Sequence, residues 1–257
     1  MKTPEDIAQL SALWMEDFKV HSYEVDFKQV ARLESLCRLF QEAAWNHAEE
    51  LGVGYQRLQR ENRIWVLSRL LVKVERYPRW GETIALHTWP RAAKSVFAMR
   101  DFEMFDAGGV KLVAGASAWL VLDAGSRKPQ RVDRIVSGIR ASADRRALEQ
   151  EPGRLAACES AAVASELTAR YSDVDVNGHV NNSCYIGWIL DSYRMEFHRT
   201  HAVRLLEVNY LGETGAGDMI SVLSKEVAPG EYWHAIVKTD GGEVCRGRII
   251  WNGGSME

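Results

Sequence analysis

The sequence lays out one plan twice, a long apolar helix followed by strand-like runs, and that repetition limits the folds open to it. In the first half, Val30, Leu33, Leu36, Phe40, Ala44 and Leu51 recur at the spacing of a core-facing helix over 29–51. Strand-like runs at 63–77, 83–89, 95–105 and 111–122 follow. In the first of these, Ile64, Val66, Leu70, Val72 and Val74 alternate with a face that turns charged at Arg69, Lys73 and Glu75, the pattern of a sheet with one buried face. The second half predicts a helix near 182–198 and strands at 202–210, 219–227, 232–239 and 244–251. The closing strands of each half are joined by similar turns, Asp106-Ala107-Gly108-Gly109 and Asp240-Gly241-Gly242, where glycine supplies the positive φ of a tight hairpin.

One helix followed by antiparallel strands, twice, predicts an α+β chain in which each sheet wraps a helix. Ala114, Gly115, Ala116 and Ala118 are small enough to let a helix approach closely. The expected division is a first domain at 1–140, a linker at 141–164 that contains Pro152-Gly153, and a second domain at 165–257. Tyr77 and Tyr210 read as strand ends before Gly81-Glu82 and Gly217-Asp218, which makes the second loop three residues longer. That loop carries Gly212-Glu213-Thr214.

The halves differ in chemistry. Residues 171–182 of the second half gather Asp173, Asp175, Asn177, His179, Asn181 and Asn182, then turn apolar at Tyr185, Ile186, Trp188, Ile189 and Leu190. Apolar residues on nearly every face predict a buried helix, with a sheltered polar loop at its entry. Shelter would let a carboxylate–amide–imidazole cluster be tuned for catalysis. The first half has only Tyr23-Glu24-Val25-Asp26 at this point, with no Asn or His. It reads as the half that shapes a pocket.

A net charge of -3 makes no global case for nucleic acid or an acidic membrane surface. Cys37, Cys158, Cys184 and Cys245 are scattered without CxxC spacing and read as reduced thiols of a cytoplasmic protein. The N-terminal residues lack an apolar signal region, and no apolar run is long enough for a membrane span. No phosphate loop is present, and one histidine with two aspartates is a poor metal set, so neither a cofactor nor a metal is expected. His47 reads as a core-edge histidine, and Trp45, Trp65, Trp80, Trp89 and Trp119 as core and pocket wall.

The run Asp175-Val176-Asn177-Gly178-His179-Val180-Asn181-Asn182, with Tyr185 to Leu190 after it, resembles the C-terminal motif of the acyl-ACP thioesterases. Phe40 to His47, Ile64-Trp65-Val66, Tyr77 to Gly81 and Thr88-Trp89 extend the resemblance over roughly residues 20–252. The resemblance implies a tandem double hotdog, each half a long helix gripped by an antiparallel sheet, and hydrolysis of fatty acyl-ACP to free fatty acid. Its functional positions carry over as Asp175, Asn177, His179 and Glu213. Many plant members have cysteine directly after that glutamate, whereas this chain has Thr214, so a thiol mechanism lacks its nucleophile there. With no plastid transit peptide evident, the sequence reads as a bacterial-type relative.

Thioester hydrolysis needs an activated water, a group that polarises the carbonyl, and something to hold both. Glu213 fits a general base, or a solvated loop glutamate. His179 fits positioning of water, donation to the thioester oxygen or protonation of the departing thiolate, or a structural histidine. Asn177 fits carbonyl polarisation or turn chemistry. Asp175 fits orientation of its neighbours or a helix-entry cap. Asp173 reads as a loop charge, and Asn181 and Asn182 as helix caps. Acyl carrier protein is the expected partner, with Arg57, Arg60, Arg63, Arg131 and Arg134 as candidate contacts; a homodimer is left open. The rival functions are an acyl-CoA thioesterase and a non-catalytic acyl-binding or sensing protein of the same fold.

Overall fold

Two repeats with the same strand order emerge in the computed structural model, which describes residues 12–93, 95–142 and 144–253. The chain divides into two compact units, one drawn from Met1–Ala31, Leu36–Ser68 and Glu75–Glu151, the other from Arg32–Ser35, Arg69–Val74 and Pro152–Glu257. The first repeat contains β1 (Trp14–Lys19), α1 (Leu33–Glu50), α2 (Tyr55–Arg60), β2 (Arg63–Val74), β3 (Thr83–Pro90), β4 (Phe97–Phe105), β5 (Lys111–Asp123) and α3 (Val132–Ile135). Its strands lie in the order β1-β3-β4-β5-β2. The second contains β6 (Ala162–Thr168), α4 (Asn182–Asp191), α5 (Met195–Thr200), β7 (His201–Tyr210), β8 (Met219–Ala228), β9 (Glu231–Lys238) and β10 (Glu243–Gly253), in the order β6-β8-β9-β10-β7. Arg69–Lys73 of β2 belong to the second unit, where they pair antiparallel with β7.

In each repeat the helix packs on its sheet over a glycine. Phe40 of α1 stacks on Phe102 of β4 with centroids 4.5 Å apart, and Gly115 lies opposite Phe102 in the register of β4 and β5. A Cβ at Gly115 would stand 2.6 Å from the Phe40 ring. In the second repeat Gly247 lies opposite His234, and a Cβ there would stand 2.8 Å from Ile189 Cδ1. Phe40 and Ile189 are each the eighth residue of their helix, so the two contacts are equivalent. Both hairpins form as expected. Asp106 Oδ1 accepts from the amides of Gly108 and Val110, Asp240 Oδ1 accepts from Gly242, and Gly109 and Gly241 have φ of 78° and 84°.

Several expectations need correction. The first helix starts at Leu33, because Gln29 has φ 62° and Val30 forms a bridge to Arg79. β2 ends at Val74, so Tyr77 lies beyond the strand rather than at its end. The helix expected over 182–198 breaks after Asp191. Ser192 Oγ donates back to the Ile189 carbonyl at 2.7 Å, Arg194 is extended, and α5 begins at Met195. The break turns Tyr193 inward, where its hydroxyl meets His234 Nε2 at 2.9 Å and its ring packs edge-on to Trp251. A tyrosine turned inward needs such a partner for its hydroxyl.

Edge strands β1 and β6 had no counterpart in the expected pattern. Trp89 is fully buried, but Trp45 and Trp80 are exposed, so they are not core. His47 lies inside rather than at the core edge, stacked on Trp14 and 3.1 Å from the Arg100 guanidinium, whose pKa burial pulls down to about 10.

The segment after Glu151 is strapped to the second sheet. The amides of Gly153 and Leu155 donate to Glu207 and Asn209, buried side chains of β7, at 2.6 and 2.8 Å, and Asn209 Nδ2 donates back to the Gly153 carbonyl. These bonds account for the buried polar pair of β7.

Gly115→Ala is expected to destabilise the protein by about 1–3 kcal/mol, the range for overpacking a filled core. Gly247→Ala should cost less, because Ile189 Cδ1 is the free end of a flexible side chain. Urea unfolding of both variants checks the order, and an equal or reversed cost would refute the packing argument.

Candidate active site

The polar loop of the second repeat is built by its own aspartates. A single 3₁₀ turn, Tyr171–Asp173, is closed by the Arg170 amide donating to Asp173 Oδ2 at 2.7 Å. Asp175 then folds the next turn. Its amide donates to the His179 carbonyl at 2.9 Å, its carbonyl accepts from Gly178 at 3.0 Å, and its Oδ1 accepts from the Asn177 amide at 2.8 Å. Gly178 supplies the φ of 78° that this reversal requires. Asn181 caps α4, accepting from the Ser183 amide at 2.9 Å. Its own amide donates to the Asp173 carbonyl at 2.8 Å. Asp173 is therefore a structural residue rather than a loose loop charge. Asn182 is the first helical residue, and its carbonyl accepts from the Tyr210 hydroxyl at 3.1 Å.

The loop after β7 meets this turn. The amides of Leu211 and Gly212 share the Val244 carbonyl, and the Val180 amide donates to the Thr214 carbonyl at 2.8 Å. Asp218 closes the far side, with Oδ2 accepting from the Gly215 amide at 3.0 Å and pairing with Lys238 at 2.8 Å. Lys238 and then that amide hold the Asp218 carboxyl below its ordinary range. The two loops bring His179 Nε2 and Glu213 Oε2 to 3.3 Å.

His179 and Glu213 are thus joined, and Asp175 shapes the turn that carries His179. The Asn177 side chain is exposed and makes no hydrogen bond among the described residues. The expected shelter is absent, since the side chains of His179 and Glu213 are 38% and 43% exposed. Helix α4 itself is buried as expected, through Ser183, Cys184, Tyr185, Ile186, Trp188 and Ile189. Thr214 is fully buried, and its Oγ1 has no hydrogen-bond partner among the described residues. Burial pushes the Tyr185 pKa up to about 12. Burial also raises the Cys245 thiol, which leaves it poorly suited to nucleophilic attack. No cluster of three or more His, Cys, Asp or Glu suited to a metal ion occurs among the described residues.

The first repeat builds the same turn without the chemistry. Asp26 Oδ1 accepts from the Lys28 amide at 2.8 Å, the Asp26 amide donates to the Val30 carbonyl at 2.9 Å, and Gln29 takes the place of Gly178. The Ala31 amide donates to the Pro78 carbonyl at 2.8 Å, as Val180 does to Thr214, and the amides of Glu75 and Arg76 share the Leu112 carbonyl. Lys28, Val30 and Tyr77 therefore stand where Asn177, His179 and Glu213 stand. This equivalence corrects the expected three-residue insertion: Tyr210 matches Val74, and from there the two loops have equal length.

A helix wrapped by an antiparallel sheet, built twice, with a histidine–carboxylate pair in the second copy, defines a tandem hotdog protein. The chain belongs to the acyl-ACP thioesterase family: the model of the N-terminal domain matches residues 11–139 and that of the C-terminal domain residues 157–253. The crystal structure of an acyl-ACP thioesterase from Bacteroides thetaiotaomicron superposes with a TM-score of 0.85 at 29% identity, over 98% of this chain and 100% of that one. The 12:0-ACP thioesterase of Umbellularia californica shares the fold, with a TM-score of 0.82 at 24% identity over 95% and 98% of the two chains. Among curated relatives, the palmitoyl-acyl carrier protein thioesterase of Gossypium hirsutum is 31% identical over 95% of this chain and 65% of its own length. The acyl-[acyl-carrier-protein] hydrolase FATB2 of Cuphea viscosissima is 29% identical over 95% and 64%. The chain therefore spans just under two thirds of these chloroplastic relatives.

Asp175→Ala and Asp26→Ala should each loosen their own turn, at a cost of about 1 kcal/mol for the lost side-chain hydrogen bond. Amide exchange should quicken at Asn177 in the first variant and at Lys28 in the second. Unchanged exchange at both would mean that the carboxylates do not hold the turns.

Proposed function

We propose that the chain is an acyl-ACP thioesterase in which Glu213 activates water against the thioester carbonyl. The observation that carries this reading is the His179–Glu213 pair, 3.3 Å apart on two loops joined by the Val180–Thr214 hydrogen bond. Family membership and the names of the relatives supply the substrate class. Glu213 takes a proton from water as the oxygen bonds to the carbonyl carbon. His179 orients that water through its link to Glu213 and relays the proton that Glu213 has taken to the departing thiolate as the carbon–sulfur bond breaks. Asn177, exposed at the turn, offers its amide to the carbonyl oxygen, and Asp175 holds the turn that presents both. The products are a fatty acid and the thiol of the carrier.

The second repeat does the chemistry, and the first shapes the acyl pocket. The free cysteines fit a cytoplasmic, reducing setting. The candidate carrier contacts are partly neutralised, since Arg57 and Arg63 both pair with Glu61, and Arg131 pairs with Asp133. The carrier arm of this reading rests on the relatives rather than on an open basic patch.

Glu213→Gln and His179→Ala are expected to lower kcat for acyl-ACP hydrolysis by at least about a hundredfold, the scale of general acid–base catalysis. Both side chains are part exposed, so both variants should keep the wild-type melting temperature. Full turnover by a folded Glu213→Gln enzyme would exclude Glu213 as the base. Steering toward an acidic carrier is screened by salt. At subsaturating substrate, hydrolysis of acyl-ACP should therefore fall more steeply with ionic strength than hydrolysis of a short uncharged acyl thioester. Parallel salt dependence would mean that the carrier is not recognised through charge.

A further inference from the structure

The two repeats act as internal controls for each other, and they differ beside Glu213 in a way that the turn itself does not require. Both copies tie the helix-entry turn to the loop after the strand by one backbone hydrogen bond, Val180 to the Thr214 carbonyl in the second and Ala31 to the Pro78 carbonyl in the first. The second copy adds a tie of its own. At the end of β7 the Tyr210 hydroxyl donates to the carbonyl of Asn182, the first residue of α4, at 3.1 Å. In the first repeat Val74 stands at the Tyr210 position and Leu33 at the Asn182 position, both buried. A valine side chain has no donor, so the first repeat holds its fold without this bond.

The added tie sits where it can act on the site. Tyr210 lies three residues before Glu213, and Asn182 three residues after His179. Tyr210 and Thr214 therefore bracket the short segment 211–213, with one end anchored to the helix at Asn182 and the other to the turn at Val180. Between them the amides of Leu211 and Gly212 both go to the Val244 carbonyl of β10. A segment this short, held at both ends and along its length, has little freedom in where it sends its last side chain. The Tyr210 ring is itself held edge-on by Tyr185 at 5.8 Å, and Tyr185 stands where the first repeat has Leu36. The second repeat thus carries both the hydroxyl and the ring that orients it, and the first carries neither.

We propose that Tyr210 is a positioning residue for Glu213, its hydroxyl anchoring the start of the glutamate's loop to the first residue of α4 so that the carboxylate stays within reach of His179. This rests on the reading of Glu213 as the base. The hydroxyl acts on a backbone carbonyl rather than on a reacting atom, and its effect passes to Glu213 through Leu211 and Gly212. Without it the Val180–Thr214 bond still joins the two loops, as Ala31–Pro78 does in the first repeat. The fold then survives, while the 3.3 Å approach of Glu213 Oε2 to His179 Nε2 loosens. A small displacement of a base is felt in turnover more than in substrate binding.

The test is a double-mutant cycle on hydrolysis of lauroyl-ACP by the full chain, comparing wild type, Tyr210→Phe, Glu213→Gln and the double variant. Tyr210→Phe keeps the ring and removes only the donor. It should lower kcat by about tenfold, the scale of a modest misplacement at the reacting centre, with KM within about twofold. Its melting temperature should fall by no more than about 4 °C, the shift that one lost hydrogen bond produces in a chain of this size. The double variant should be no slower than Glu213→Gln alone, because a base that is absent cannot be misaimed. Wild-type kcat in Tyr210→Phe, or losses that multiply in the double variant, would overturn the proposal. A Tyr210→Phe chain that fails to fold, or whose melting temperature falls much further, would overturn it as well, since the bond would then serve the fold. Full activity in Glu213→Gln would remove the catalytic reading and the role of Tyr210 together, whereas an inactive Glu213→Gln beside a fully active Tyr210→Phe removes only the latter.

Discussion

One backbone hydrogen bond, from the Val180 amide to the Thr214 carbonyl at 2.8 Å, decides what the second repeat can do. It joins the turn before a helix to the loop after a strand, segments more than thirty residues apart in the chain. The residues on either side of that bond, His179 and Glu213, are thereby brought within 3.3 Å of each other. Neither side chain needs to be buried to be placed, because the backbone does the placing. The bond is in turn secured from both ends. Asp173 and Asp175 stiffen the turn, while the Val244 carbonyl and the Asp218 carboxylate pin the loop. Loops that carry function on a rigid scaffold commonly work in this way.

The same economy governs the chain between the repeats. A stretch rich in Ala, Arg and Glu looks from composition like a free tether. Yet Gly153 and Leu155 give their amides to buried side chains of β7, and in the first unit the Ala147 amide donates to Asp101 at 2.9 Å. Asp101 is fully buried, and burial drives its carboxyl upward against the pull of that amide and of Arg91. Polar groups on the strands thus become attachment points for the segment between the repeats, which accounts for carboxylates at positions where alternation alone asks for apolar residues.

What could be read in the sequence follows from how local each signal is. The hairpins at Asp106 and Asp240 and the small residues under α1 depend on neighbours a few positions away, and they stand where expected. The Asp–Asn–His turn was legible for the same reason, since its hydrogen bonds close within five residues. Tyr77 and Tyr210 look alike in the sequence but are not equivalent, because the loops correspond through carbonyls and amides that carry no letter. The break after Asp191 was hidden because Tyr193 looks like one more apolar helix residue until its hydroxyl finds His234 across the sheet. Shelter of the polar loop was inferred from the apolar helix beside it, but a helix buries its own residues without covering the turn that feeds it. Strands β1 and β6 escaped because an exposed edge strand carries little of the alternation that marks a half-buried one.

Duplication then separates architecture from chemistry more cleanly than any single site could. Asp175 looks catalytic in a run of Asp, Asn and His, but Asp26 makes the same turn in a repeat with valine at the histidine position and lysine at the asparagine position. The carboxylate therefore belongs to the fold first, and its service to the site lies in holding the turn. The glycine under each helix and the carbonyl shared by the two amides after β2 and after β7 belong to the same class, since both copies keep them. What one copy has and the other lacks is His179, Asn177 and Glu213. A scaffold that stands without those groups has no structural need of them. The first repeat shows that it stands.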